Sequence, residues 1–245
     1  MLVRLFELIL QDQPQKRAND DHKGIEIRSN HNGMEYNTFE HLSQGNRMQN
    51  IILAAGLGSR SEGKKLLLPY KGEPIVAVAV KASLEAGLDT IVVTGYQHEM
   101  IEQQIAGYQS DKLKIVINDH YVQGQGSSTI CGVSHLNAQE SFFISLADMP
   151  LIEARHYAFL MEFEEHAVVR PCYKGRLGHP VMLQPSFIPI IKSQKPSFTM
   201  RSLLSAYPIF RVVVDEQAYI QDVDTLAEYQ KVLTLTGQPP GSPCR

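Results

Sequence analysis

The chain alternates between short apolar runs and longer stretches in which apolar and polar positions mix. Runs at 50–54, 90–94, 113–117 and 142–146 have strand length and are read as buried strands. Further strands are expected at 168–171, 180–183 and 211–214, and helices at 74–86, 99–106, 127–136, 153–165 and 225–233. Pro74 at a first-turn position and Gly87 as a stop frame the first of these helices, although Val76, Val78 and Val80 alternate as a strand would. Strands separated by helices imply βαβ units. The expected fold class is α/β, a Rossmann-like three-layer sandwich with a mostly parallel sheet. Ligands of such sheets sit at the carboxyl ends of the strands.

The pattern is weak at both ends. Residues 11–47 are rich in Asn, Gln, His and charge and show no lasting period, so 1–47 are expected to form a poorly ordered extension, with a short apolar helix possible over 1–10. The domain proper is expected over 48–235. Residues 236–245, with three prolines and two glycines, are expected to be a disordered tail.

Composition changes this picture little. The 245 residues carry a formal net charge of −3, which gives no basic face for nucleic acid. Cys131, Cys172 and Cys244 stand far apart and form neither a metal-binding pair nor a disulfide framework. No apolar run is long enough to span a membrane, and Arg4 and Glu7 interrupt the apolar start, which lacks a signal-peptide cleavage pattern. A cytoplasmic location is the expectation.

Candidate chemistry begins directly after the first strand, in Leu53-Ala54-Ala55-Gly56-Leu57-Gly58-Ser59-Arg60. Small residues let backbone N–H groups approach an anion, and Arg60, Lys64 and Lys65 add the cations that a triphosphate needs. A plain glycine turn with solvated lysines would look similar. Two other phosphate loops do not fit. The Walker A spacing from Gly58 to Lys64 is followed by Lys65, where a Mg²⁺-binding Ser or Thr is needed. The dinucleotide fingerprint has Ser61 at its third glycine, and no acidic residue ends the second strand.

The run from Leu53 to Pro69 resembles the LAAGxGxRMGxxKxLLP signature of the MobA-like NTP transferases. Four later stretches extend the resemblance in the same order. Asn118 with Gly124-Gln125-Gly126-Ser127-Ser128 is similar to the NPxWxxGxGxS stretch of the cytidylyl branch. Ser145-Leu146-Ala147-Asp148-Met149-Pro150-Leu151 is similar to the metal-binding aspartate turn. Arg170-Pro171 with Gly178-His179-Pro180-Val181 is similar to the GHPV loop, and Asp222-Val223-Asp224-Thr225 to the closing DIDTPED. Ser61-Glu62 replaces the Met-Gly of the family, placing a carboxylate near the expected triphosphate.

The resemblance implies a nucleotide-diphospho-sugar-transferase-like fold and a Mg²⁺-dependent enzyme moving CMP from CTP to the phosphate of molybdopterin, with release of pyrophosphate. Leu53, Ala54, Ala55, Gly56, Gly58, Arg60 and Lys65 would hold the nucleotide. The helix opening at Gly126 and Ser127 would receive a ribose or phosphate oxygen, and Thr94 would contact the base. Asp148 and Asp224 are the expected metal ligands, with Asp222 in reserve. Asp148 could instead serve a turn, and Asp224 or Asp222 could cap the last helix. Arg60, Lys65 and Asp148 are the expected catalytic groups, and Gly178 and His179 would meet the acceptor. A phosphate monoester nucleophile is already mostly dianionic near neutral pH, so no protein base is required. A molybdoenzyme or its chaperone would be a partner. Two alternatives stay open: the same chemistry with GTP or another acceptor such as a sugar phosphate, and an inactive nucleotide-binding cofactor chaperone.

Overall fold

Apolar strand sequences flanked by helices on both sides produce one central sheet. A computed structural model of the chain describes residues 47–56, 64–108 and 110–237. The extension expected over 1–47 and the tail expected over 236–245 lie outside the described residues, except for Arg47, Thr236 and Gly237.

The strands of the main sheet are β1 (Gln49–Leu53), β4 (Asp89–Thr94), β5 (Leu113–Ile117), β6 (Phe142–Leu146), β7 (Val168–Tyr173), β9 (Val181–Leu183) and β10 (Phe210–Val214), in the order β10-β7-β9-β6-β1-β4-β5. Two-residue strands β2 (Pro69–Tyr70) and β3 (Glu73–Pro74) form a separate hairpin, and β8 (Arg176–Leu177) pairs with β7. β1 runs parallel to β4 and β6, β4 to β5, and β10 to β7. β9 is antiparallel to both β6 and β7. The mostly parallel three-layer α/β expectation is met.

Alternation along the strands splits the core between the two faces. Ile52, Val92, Phe143, Val169 and Val212 pack on one side, against α1 (Ile75–Glu85), α2 (His98–Ile105), α4 (Ala154–Met161) and α7 (Leu226–Leu235). Ile51, Val93, Phe142, Ile144 and Val181 pack on the other, with α3 (Gln125–Val133), α5 (Phe187–Lys192) and α6 (Met200–Leu204). The valine alternation in 76–80 belongs to a helix after all. Ile75, Val76, Ala77, Ala79 and Val80 of α1 are all buried, so its apolar positions do not thin out to one face. The helix expected over 153–165 stops at Met161, and the Gln184 amide binds the turn that follows through the carbonyls of Glu164 and Glu165, at 3.3 and 3.1 Å.

One polar network sits inside this core. Asn50 donates to Ser83 Oγ at 2.9 Å and to the Tyr157 hydroxyl at 3.2 Å, and accepts from Ser145 Oγ at 2.7 Å. Tyr157 donates to Ser145 at 3.0 Å, and Ser83 meets Thr90 at 2.7 Å. The group ties β1, β4 and β6 to α1 and α4 with its buried amide and hydroxyls paired.

Candidate functional site

The chain leaves β1 for β4 on one side, and β6 lies on the other, so the strand order reverses at β1. Loops diverge at such a point and leave a crevice beyond the strand ends. A cleft of about 330 Å³ lies there, lined by Leu53, Ala54, Ala55 and Gly56 after β1, and by Leu146 and Asp148 after β6. Tyr121, Gly124, Gln125 and Ser128 close it from the segment between β5 and α3. Lys65, carried by the 3-10 turn Lys64–Leu67, completes the lining.

Two loops distant in sequence bring the charged groups together. The Val223 N–H donates to the Asp148 carbonyl at 2.9 Å and so lays the 222–224 segment beside the end of β6. Lys65 Nζ then lies 2.5 Å from Asp148 Oδ2 and 2.6 Å from Asp224 Oδ1. Burial works against the lysine's charge, but the carboxylates of Asp148 and Asp224 outweigh it and raise its pKa. The Asp222 carboxyl is raised, by burial first and then by the nearby Asp148 and Asp224 charges. Thr225 caps α7, accepting from the Glu228 N–H at 3.2 Å, which leaves the Asp224 carboxylate to face Lys65. Asp148 Oδ1 is buried without a hydrogen-bond partner among the described residues.

A second cavity, of about 660 Å³, abuts the first through Leu53 and Gln125. Its lining includes Arg170, Arg176, His179 and Arg201. Arg170 donates to the Gly178 carbonyl at 3.0 and 3.3 Å. Gly178 could hold no side chain, because a Cβ there would overlap the Tyr219 carbonyl. Burial, and then the Arg170 charge, pull the His179 pKa down to about 4.

The model of the MobA-like NTP transferase domain matches residues 50–212 of this chain, which is more than half of it. The chain belongs to the MobA-like NTP transferase family. This transferase is 28% identical over 177 residues to the molybdenum cofactor cytidylyltransferase of Escherichia coli, a match covering 71% of this chain and 90% of that protein. It is also 28% identical over 192 residues to the purine catabolism protein PucB of Bacillus subtilis, covering 74% of this chain and 94% of the relative. Among solved structures, Rv0371c from Mycobacterium tuberculosis superposes with a TM-score of 0.69 at 18% identity, over 78% of this chain and 98% of that one, a likeness of fold. The transferase is a nucleotidyltransferase.

Of the residues expected to hold nucleotide or metal, Leu53, Ala54, Ala55, Gly56, Lys65, Asp148 and Asp224 converge on the first cleft or its rim. Gly58 and Arg60, with Ser61 and Glu62, lie outside the described residues. Three others are used elsewhere. Thr94 is fully buried, and its hydroxyl donates to the Val116 carbonyl at 3.3 Å. The Ser127 hydroxyl lies 2.9 Å from the His120 carbonyl and 2.8 Å from that of Gly124, and accepts from Asn118 at 2.9 Å. Gly126 faces the carbonyls of Pro196 and Phe198 so closely that a Cβ would overlap both. These residues shape the cleft wall without reaching its space. The neighbours that do line it, Gln125 and Ser128, stand in the same quoted stretch, so the signal was one of segment and the alternation of a helix start chose the individuals. Arg176 and Arg201 lie in no recognisable stretch, and nothing in the sequence pointed to them.

Proposed function

We propose that this transferase moves CMP from CTP to the phosphate of molybdopterin, with Mg²⁺ held by Asp148 and Asp224. The observation that carries the reading is the meeting of Lys65, Asp148 and Asp224 at the mouth of the crevice between β1 and β6. The carboxylates fit the metal. Asp148 Oδ1 is buried without a partner among the described residues, and the pair already faces the cation of Lys65, which supports the reading. Among the described residues there is no cluster of three or more metal-ligating side chains, which suits Mg²⁺, an ion that takes one or two carboxylates and fills its shell with phosphate oxygens and water. Bound there, the ion would neutralise charge on the triphosphate.

The remaining work falls to positioning and charge. An oxygen of the acceptor phosphate attacks the α-phosphorus, the bond from that phosphorus to the β-bridging oxygen breaks, and pyrophosphate leaves. The nucleophile brings its own negative charge, and no proton must be removed. With the ion held by Asp148 and Asp224, the Lys65 ammonium would be free to meet phosphate oxygens, together with Arg60. The loop from Ala54 to Gly56 offers backbone N–H groups to the nucleotide. The similarity of residues 124–128 and 178–181 to the cytidylyl branch, and the name of the Escherichia coli relative, favour CTP and molybdopterin.

Thermal unfolding with each of the four nucleoside triphosphates, with and without Mg²⁺, tests the reading. A nucleotide at a hundred times its Kd stabilises the native state by about 2.7 kcal/mol. CTP with Mg²⁺ is expected to raise the melting temperature most. Preference for GTP would replace the cytidylyl reading with a guanylyl one, and no shift with any nucleotide would sink it.

A further inference from the structure

We infer that Glu216, gripped by Arg155 and His156, is a positioning residue: it anchors a strap, residues 216–224, whose far end holds Asp224 against Lys65 and beside Asp148. This rests on the proposed metal role of Asp148 and Asp224, because it states what keeps the second carboxylate in place for the ion.

The strap follows from the topology. β10 runs parallel to β7, and β9 is antiparallel to both β7 and β6, so β10, β7 and β6 end on the same side of the sheet. β10 is the outermost of these strands, with β7 and β9 between it and β6. The chain leaving β10 must therefore pass the ends of two strands before it can bring Asp224 to the end of β6. It does so through a 3-10 turn, Gln217–Ile220, and then residues 221–224.

The near end is fixed by two side chains of α4. The Arg155 guanidinium donates to both Glu216 carboxylate oxygens at 2.6 Å. His156 accepts the Glu153 N–H on Nδ1, so its Nε2 carries the proton and faces Glu216 Oε2 at 3.1 Å. The same buried imidazole meets the Tyr219 ring edge-on, with centroids 4.9 Å apart. A half-exposed ion pair adds little to stability; what a two-pronged guanidinium–carboxylate contact adds is a fixed orientation.

The rest of the strap is stiff. Tyr219 is buried, and its carbonyl accepts from the His179 N–H at 2.8 Å. Gln217 Nε2 donates to Gln221 Oε1 at 2.7 Å, and Gln221 Nε2 to the Asp222 carbonyl at 2.9 Å, so side chains stitch the turn to the residues after it. At the far end the Val223 side chain is buried in the core, and its N–H binds the Asp148 carbonyl. Like charges on Asp148, Asp222 and Asp224 push this end outward, and an anchor at the other end resists the push. A short, stitched segment passes a displacement at Glu216 on to Asp224. Contacts outside a metal's own ligands set its affinity in this way, by orienting those ligands.

Amide hydrogen exchange, and melting protection by CTP over a Mg²⁺ titration, test the anchor on the full chain. Glu216→Ala and Arg155→Ala are expected to speed exchange at Val223 and His179 about tenfold while the amides of β4 and β5 keep their rates. The same variants are expected to need about fivefold more Mg²⁺ for half-maximal protection by CTP, with full protection regained at high Mg²⁺. Ile191→Val, in a helix on the far face of the sheet, is the control for general destabilisation and is expected to leave both readouts unchanged. Unchanged exchange at Val223 and His179, or a speeding that Ile191→Val reproduces, would overturn the proposal. Faster exchange with an unaltered Mg²⁺ requirement would reduce Glu216 to a structural contact. A loss of protection that no Mg²⁺ concentration restores would place the effect on the nucleotide instead of Asp224, and so would also overturn it. A wild type that no nucleotide protects would refute the transferase reading, and the exchange rates alone would then decide whether Glu216 anchors the strap.

Discussion

Lys65 concentrates the site's electrostatics in one side chain. Its ammonium separates two carboxylates, and Asp222 stands near enough for both to raise its own carboxyl. Replacing it by alanine removes the cation and leaves Asp148 and Asp224 facing each other. Lys65→Ala is expected to lower the melting temperature, and Mg²⁺ should restore part of the loss, because a divalent ion supplies the missing charge. In steady-state kinetics the same variant should raise KM for the nucleotide and lower kcat together. Asp148→Asn changes little volume but removes a full charge, and is expected to reduce turnover by at least a hundredfold with an unchanged circular dichroism spectrum. Near-normal turnover would take Asp148 out of the metal site. Asp148 was legible because it follows an apolar run, where a parallel sheet delivers its loops, whereas Lys65 and Asp224 were legible only through the stretches that resemble the family's motifs. Thr94, Gly126 and Ser127 are less legible for a physical reason: a hydroxyl or a glycine at a strand end or helix start serves a turn as readily as a ligand, and here the two hydroxyls bond backbone carbonyls while Gly126 packs against two.

At the scale of elements, length decided what could be read. Strands of five or six residues such as β1, β4, β5 and β6 were recovered within a residue or so, and so was α1 between its proline and glycine. The stretch from 184 to 209 shows no period from which an element can be read. It holds α5, six residues with Pro189 inside, and α6, five residues, both too short to show a period. These helices owe their existence to Phe187, Ile188, Ile191 and Leu204 packing on the sheet, a tertiary cause that a local pattern does not carry. The polar network around Asn50 was equally invisible, since a buried amide and an exposed one read alike in sequence. It joins five elements, so Asn50→Leu takes one partner each from Ser145, Ser83 and Tyr157, leaving Ser83 with Thr90 and Tyr157 with Ser145. With about 1–3 kcal/mol for each buried polar group left unmatched and partial relaxation among them, a total loss of about 3 kcal/mol is expected. For a domain of this size that is roughly 6–12 °C in melting temperature. A shift under 2 °C would mean that the network contributes nothing net.

Across the whole molecule, a second electrostatic cluster lies away from the cleft. Arg155 pairs with both oxygens of Glu216 at 2.6 Å and with Glu153 at 3.0 Å, while Lys71 reaches Glu153 at 3.3 Å. His156 accepts from the Glu153 N–H on Nδ1 at 2.8 Å, so its Nε2 carries the proton toward Glu216, 3.1 Å away. The cluster joins the start of α4 to the segment after β10. Hydrogen bonding from Arg155 is the largest cause holding Glu216 at about 2, below its ordinary 4.5. A depressed carboxyl stabilises the fold above its unfolded value and loses that contribution as pH falls toward the folded one. Wild-type melting temperature should therefore drop between pH 4.5 and pH 2. Glu216→Gln should melt lower at pH 7 and show a flatter decline over the same window, and an undiminished slope would assign the acid sensitivity to other groups.

The lysine bridge between Asp148 and Asp224 also makes the site an exchanger of cations. Most metal centres come apart when a chelator strips them, because the like charges left behind repel. Here the protein carries its own substitute, tethered and always at hand, so the two carboxylates need no ion to stay together. On the proposed reading an arriving triphosphate would bring the metal that Asp148 and Asp224 would hold, and would receive the ammonium of Lys65. Both halves of that exchange would then need nucleotide and ion together, so the wild type is expected to respond to the complex and not to free Mg²⁺.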